Sequence, residues 1–310
     1  QQVVCAEIRE AESALQEMQQ RLLTDVRLRY YDLLVALEKI RISDQLVDFS
    51  QDAVDTTQQL VEAQEMARTA LLQAQVELQY AQVTRRQASN ELAGARRNLA
   101  VLIGEEDLPF STVTGSLQDN DGLDIEAAFD QILQQSPEIA RRFNEVEIAR
   151  RNLARQCVEP IPDVTWQATI LYGLGSDDVV SGLQVGMPIP VLNRNEGAIG
   201  QARKEMVAAE RNAERTALRL RERLVTAYQS YMDAKLEIEA FNSEILPTSE
   251  ETIRLVAQGY RQGEVSYLEL LVVQRTYFQI NLANVDRLGE MWRQRIAIEG
   301  MLLSGSLQQQ

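Results

Sequence analysis

Apolar residues recur at three- and four-residue spacing along two long stretches of the chain, with Gln, Glu and Arg filling most positions between them. That period belongs to the amphipathic α-helix. Residues 1–93 contain no glycine and no proline, and neither do 201–246 and 264–288. Gly costs a helix interior about 1 kcal/mol and Pro about 3 kcal/mol. These stretches therefore predict helices far longer than the three turns of an ordinary globular helix. Six of the seven prolines and nine of the fifteen glycines fall between Gly104 and Gly200, so the order is helix pair, interrupted middle, helix pair.

In the middle, Ser136-Pro137 predicts a helix start, with Ser as N-cap and Pro at the first helical position. The helix should run to about Val158, before Pro160 and Pro162 stop it. From Val164 the period changes to two. Val164, Trp166, Ala168, Ile170 and Tyr172 alternate with Thr165, Gln167 and Thr169, and Leu183, Val185, Met187 and Ile189 alternate with Gly182, Gln184 and Gly186. With a turn at 173–178, this predicts a β-hairpin. Strands of about ten residues cross a bilayer at a tilt. Trp166 and Tyr172 lie about 20 Å apart at 3.3 Å per residue, close to the spacing of the two aromatic girdles of an outer-membrane barrel. The same alternation fits a soluble hairpin with one face packed on helices. Two strands alone are marginal in water and leave edges that lipid does not tolerate, so a barrel would need several copies.

The two helical regions repeat one another at a separation of about 198–201 residues. Tyr30, Ala36 and Ile40 match Tyr228, Ala234 and Ile238, and Glu65, Leu71, Leu72 and Gln75 match Glu264, Leu270, Leu271 and Gln274. Order held over such a length indicates duplication. In each copy a long arm, about Ala6–Ala63 or Gly197–Gln258, reaches on the order of 90 Å and a shorter helix returns. The second break is Gly259-Tyr260-Arg261-Gln262-Gly263. The first, near Gln64–Thr69, lacks both glycines and is placed only by the repeat. Pro247 should kink the second arm.

Composition then narrows the function. Aromatic residues are 5% of the chain, and the Ala, Leu, Gln, Glu and Arg bias is that of long helices and coiled coils. A net charge of −15 makes nucleic acid an improbable partner. There is no histidine, which removes Ser-His and Cys-His chemistry and the commonest metal ligand. Cys5 and Cys157 have no metal-ligand spacing. With no phosphate loop and carboxylates spread along helices, neither an enzyme nor a cofactor is expected. No apolar run reaches eighteen residues.

Several stretches resemble the TolC-type outer-membrane efflux proteins: Gln135–Ala140, Ile161–Val164, Leu71–Gln75, Gly259–Leu271 and, most specifically, Val185–Ile199. The resemblance implies a mainly α fold of very long antiparallel coiled-coil helices. Such helices wall a tunnel, and one β-hairpin contributes to a trimeric outer-membrane β-barrel. It divides the chain into a first helical repeat (1–104), an equatorial linker (105–123), a segment leading to the barrel (124–160), the hairpin (161–192), a second helical repeat (193–305) and a tail (306–310). The implied function is a passive exit duct for small molecules or metal ions, in a tripartite efflux pump or a type I secretion system. The implied partners are two further copies, a periplasmic adaptor, an inner-membrane pump and, through the hairpin, outer-membrane lipid. The chain would sit in the outer membrane of a Gram-negative-type cell and extend into the periplasm. The family carries a further hairpin, which the repeat offset places before residue 1, so the sequence reads as N-terminally truncated. A rival reading is a soluble coiled-coil scaffold.

The resemblance also nominates residues. Glu269 matches an acidic ring that narrows the periplasmic entrance, and Tyr260 matches a tip tyrosine that latches the closed state. The tips Gln64, Glu65 and Arg68, with Gly263, Glu264 and Ser266, are expected to meet the adaptor, since exposed turns carry recognition. Trp166 and Tyr172 would form barrel girdles. The family's arginine after the second tip glycine is replaced by Glu264-Val265, and its second acidic position is Val272. Asn193-Arg194-Asn195 leans toward the metal-efflux branch.

Overall fold

The computed structural model describes residues 2–106, 113–118, 122–172, 179–187 and 195–307. Helix α1 spans Gln2–Glu62 and α2 Arg68–Ile103. Helices α3 (Ile125–Gln135) and α4 (Pro137–Val158) follow. Strands β1 (Thr165–Tyr172) and β2 (Val179–Gly186) pair antiparallel. Helix α5 (Glu196–Ala240) then leads through a π turn at Phe241–Ile245 into α6 (Leu246–Arg261), and α7 (Tyr267–Glu299) returns. The uninterrupted length of α1 and α5 is what the glycine- and proline-free stretches dictate.

The expected kink at Pro247 takes the form of the π turn just before it. Leu246 N–H bonds to Phe241 O, five residues back, and the widened turn makes room for a ring that an α-turn would press against the carbonyl four residues earlier. The turn also explains a step in the repeat. Pairs before it, such as Tyr30/Tyr228 and Ile40/Ile238, are 198 residues apart, and pairs after it, such as Glu65/Glu264 and Gln75/Gln274, are 199 apart. One extra residue in the second arm is absorbed as one extra residue in a turn.

The chain forms two compact units. Unit 1 comprises 1–17 and 135–219 and holds α4 and the hairpin. Ser136 precedes α4 in an extended conformation as expected of an N-cap, but its buried hydroxyl makes no capping bond. Ion pairs carry much of this unit: Arg141 meets Glu10 at 3.0 Å and Glu17 at 3.6 Å, and Arg219 meets Glu138 at 2.6 Å. Asn144 donates to Ser13 Oγ at 2.9 Å.

Unit 2 comprises 18–134 and 220–310 and has an apolar core. Leu34, Val35, Tyr231, Leu288 and Trp292 are buried together, with Tyr31 stacked on Trp292 at 4.1 Å. The described linker residues 113–118 are fastened here by two side chains: Tyr30 donates to Thr114 O (2.6 Å) and Trp292 Nε1 to Leu117 O (2.8 Å).

A heptad of small hydroxyls runs along the buried seam of α1. Ser43, Ser50 and Thr57 are all buried. Ser43 and Thr57 donate back to the carbonyls of Lys39 and Ala53, which satisfies their polarity inside the helix.

Candidate functional site

The two helix-to-helix turns lie together in unit 2. The first is closed by Gln64 N–H to Val61 O, and by Glu65 and Met66 N–H to Leu60 O. The second is closed by Gly263 N–H to Tyr260 O, and by Glu264 and Val265 N–H to Gly259 O. These are corresponding atoms, 199 residues apart, in a Schellman-like close of each helix. Gly263 has φ +75° and Gln64 has φ +62°, so both copies use the left-handed conformation that the glycine makes easy. At Gly259 an added Cβ would stand 2.7 Å from Val265 Cγ2, so this glycine lets the following loop fold back.

Helix α7 starts with Ser266 as N-cap, its Oγ accepting from Glu269 N–H at 3.3 Å. Ser266-x-x-Glu269 is a capping-box pattern. In the first copy the N-cap is Ala67, with the same extended backbone and no side-chain bond.

A shared apolar core fastens the two turns to each other. Tyr260, Tyr267, Leu270 and Leu271 are buried with Ala53, Val54, Ala74 and Leu78, and Met66 and Val265 pack against them. Tyr260 is 1% exposed. Thr57 donates to Ala53 O, so at the 2.5 Å contact between the hydroxyls Tyr260 donates to Thr57. Met66 Sδ lies 3.7 Å from the Tyr260 hydroxyl. Burial pushes both the Tyr260 and Tyr267 hydroxyls up from the ordinary tyrosine range, and the nearby Glu77 carboxylate raises Tyr267 further. Both tyrosines therefore stay neutral. Around this core the polar tips face outward: Gln64, Glu65, Arg68, Gly263, Glu264, Ser266 and Glu269 are all exposed.

The structure thus brings Tyr260 to Thr57 and Met66 and sets Glu269 on the outside of the first turn of α7. Thr57, Met66 and Tyr267 escaped the sequence reading. The heptad spacing of Ser43, Ser50 and Thr57 was the available signal for Thr57.

In unit 1 the hairpin register places Trp166 opposite Val185 and Ala168 opposite Leu183, as the alternation predicts for one shared face. That face is open: Trp166 is 71% exposed, Ile170 77% and Leu183 69%. The described strands have eight residues each. The Tyr172 side chain, the 173–178 turn with Asp177 and Asp178, and 188–194 lie outside the described residues.

Among the described residues no group of His, Cys, Asp and Glu is arranged to hold a metal ion, and no helix is long and apolar enough to cross a membrane.

Long paired helices ended by exposed turns, with a hairpin whose apolar face is open, make an α-helical tunnel protomer with a barrel hairpin. Residues 128–302, more than half of the chain, match the family model described as outer membrane efflux protein, and the chain belongs to that family. It is a family of passive outer-membrane channels, not of enzymes. The chain is similar to the cobalt-zinc-cadmium resistance protein CzcC of Cupriavidus metallidurans, at 21% identity over 216 residues. That match covers 70% of this chain and 52% of CzcC, so the chain spans about half the length of that relative. Among solved structures it is similar to the outer-membrane channel OprN, with TM-score 0.83 and 19% identity over 99% of this chain and 71% of OprN. The outer membrane protein VceC of Vibrio cholerae gives TM-score 0.84 and 15% identity over 98% and 74% of the two chains. CusC gives 0.82 and 20% over 97% and 73%.

Proposed function

We propose that this protein is one protomer of a trimeric passive exit duct in the outer membrane, serving a tripartite efflux pump. The observation that carries the reading is the open apolar face of the hairpin, in a chain of the outer membrane efflux family. A hairpin of this kind in water would expose Trp166, Ile170 and Leu183 with nothing gained. Shared among copies and faced to lipid, the same residues are stabilising. A coiled-coil scaffold gives that face no role.

Within this reading the polar tips around Gln64, Glu65, Arg68, Gly263, Glu264 and Ser266 form the adaptor-facing surface. Glu269 supplies one carboxylate per copy to the periplasmic entrance, where three together favour cations. Tyr260 pins the second tip to the first through Thr57 and Met66, and so sets where Glu269 stands. Similarity to a cobalt-zinc-cadmium resistance protein, together with this acidic position and a net charge of −15, favours metal cations as cargo. The duct itself spends no energy; the inner-membrane pump drives the export.

Detergent extraction of membranes followed by native mass measurement of the full-length protein tests the proposal. A detergent-dependent trimer is expected. A monomer that stays soluble without detergent would overturn it in favour of the scaffold.

A further inference from the structure

The Tyr260 hydroxyl faces two acceptors from the first repeat, and they belong to different elements. Thr57 Oγ is on α1, at 2.5 Å. Met66 Sδ is on the first turn, at 3.7 Å. The hydroxyl has a single proton. It goes to Thr57, because Thr57 gives its own to Ala53 O and a thioether sulfur is a weak acceptor. Tyr260 is thus held on α1, while the first turn meets it through apolar packing.

Met66 stands where chemistry can reverse that preference. It is partly buried between Glu65 and Ala67, which are both exposed, and it packs on the tip core. Of the seven methionines, Met18, Met187 and Met232 are exposed, so they react without opening a core, and Met291 is buried away from a reagent. Met66 combines partial access with a sulfur against a buried hydroxyl.

We infer that Met66 is a modification site, and that its oxidation by a hydroperoxide releases Tyr260 from Thr57 and loosens both helix tips. One peroxide oxygen transfers to Sδ: the O–O bond breaks, an S–O bond forms, the sulfur gives up two electrons and hydrogen peroxide leaves as water. The sulfoxide is polar where the thioether was apolar, and its oxygen is a full acceptor beside the Tyr260 hydroxyl. It draws the tyrosine proton away from Thr57, which keeps its own bond to Ala53 O. Tyr260 then swings from α1 toward the first turn, in a core packed closely enough to leave it 1% exposed. Enzymes that reduce methionine sulfoxide make the change reversible. In a duct whose entrance is set by these tips, the same step shifts Glu269. That consequence alone rests on the function proposed above.

The test treats the full-length protein in detergent with hydrogen peroxide and follows it by peptide mass and hydrogen exchange. Met66 should gain one oxygen atom after the exposed Met18, Met187 and Met232 and before the buried Met291. As it does, the Glu65 and Glu264 amides should exchange roughly tenfold faster, about the effect of losing one buried hydrogen bond. Methionine sulfoxide reductases with a dithiol should restore slow exchange. Met66→Leu should not respond to peroxide. Tyr260→Phe should still be oxidised at Met66 but gain no further exchange, because no proton remains to be drawn away. Met66 staying unmodified after Met291 has reacted would overturn the inference. So would an equal response in Met66→Leu, or a full response in Tyr260→Phe. An exchange response in a protein that passes no current in a bilayer would leave the modification site standing and remove the duct.

Discussion

The two helix tips close with hydrogen bonds between corresponding atoms, yet one is written in turn residues and the other is not. The second tip has Gly259 where Val265 must approach, Gly263 at positive φ and Ser266 to cap α7. The first has Leu60, Gln64 and Ala67 at those places and reaches the same backbone. Local turn chemistry is therefore present in one copy and dispensable in the other. What the copies share is a common apolar core, with Met66 and Val265 both packed on the cluster around Tyr260. Tertiary packing holds Gln64 in a conformation its own side chain disfavours.

Both tips depend most heavily on that core. Tyr260→Ala should destabilise unit 2 by about 3–5 kcal/mol and loosen both tips together. Hydrogen exchange should then show Glu65 and Glu264 losing protection in parallel; loss at the second tip alone would mean that the first is self-sufficient. Next in size is Gly259→Ala, which must push against Val265 and should cost about 1–3 kcal/mol, read from the urea midpoint at unchanged slope. Exchanging the turn residues is gentler. Gly263→Gln should cost about 1 kcal/mol and Gln64→Gly should gain about the same, so the double variant should leave the midpoint near its starting value. If Gln64→Gly gives no gain, the left-handed residue in the first tip is already relieved by its surroundings.

The smallest effect is one of pH. Tyr260 and Tyr267 are neutral in the fold, with values raised by burial above the unfolded 10.0. Their contribution is complete below the unfolded value and is lost as pH rises through the folded one. Stability should fall in that alkaline window, and Tyr267→Phe should flatten part of the fall. An unchanged slope would mean that Tyr267 is not held neutral by the tip.

Much of this architecture is legible in the sequence because its signals are long or periodic. Glycine- and proline-free stretches give α1, α2, α5 and α7, and the change to period two gives the hairpin and which of its residues share a face, while the register that sets Trp166 opposite Val185 is supplied by the structure. Other parts are hidden for physical reasons. Ser43, Ser50 and Thr57 read as polar, so the seam of α1 resembles a solvent face. Their hydroxyls are satisfied inside the helix or, for Ser50, by Gln274, and can be buried without cost to the pattern. Pro247 announces a disturbance but not its form, since a π turn and a bend answer the same missing amide. At the tips, exposure of Glu269 and the polar turn residues follows from their chemistry, whereas burial of Tyr260 depends on α1 arriving with Thr57 at the right height.

Single-channel recording of the full-length protein in a planar bilayer under a salt gradient distinguishes a passive, cation-favouring duct from an assembly that conducts nothing. Stepwise conductance with a reversal potential on the cation-selective side is expected, shifted toward zero by Glu269→Gln. A membrane-inserted trimer that passes no current with its periplasmic tips disengaged by Tyr260→Ala, or whose selectivity ignores Glu269→Gln, would contradict the duct or its acidic entrance respectively.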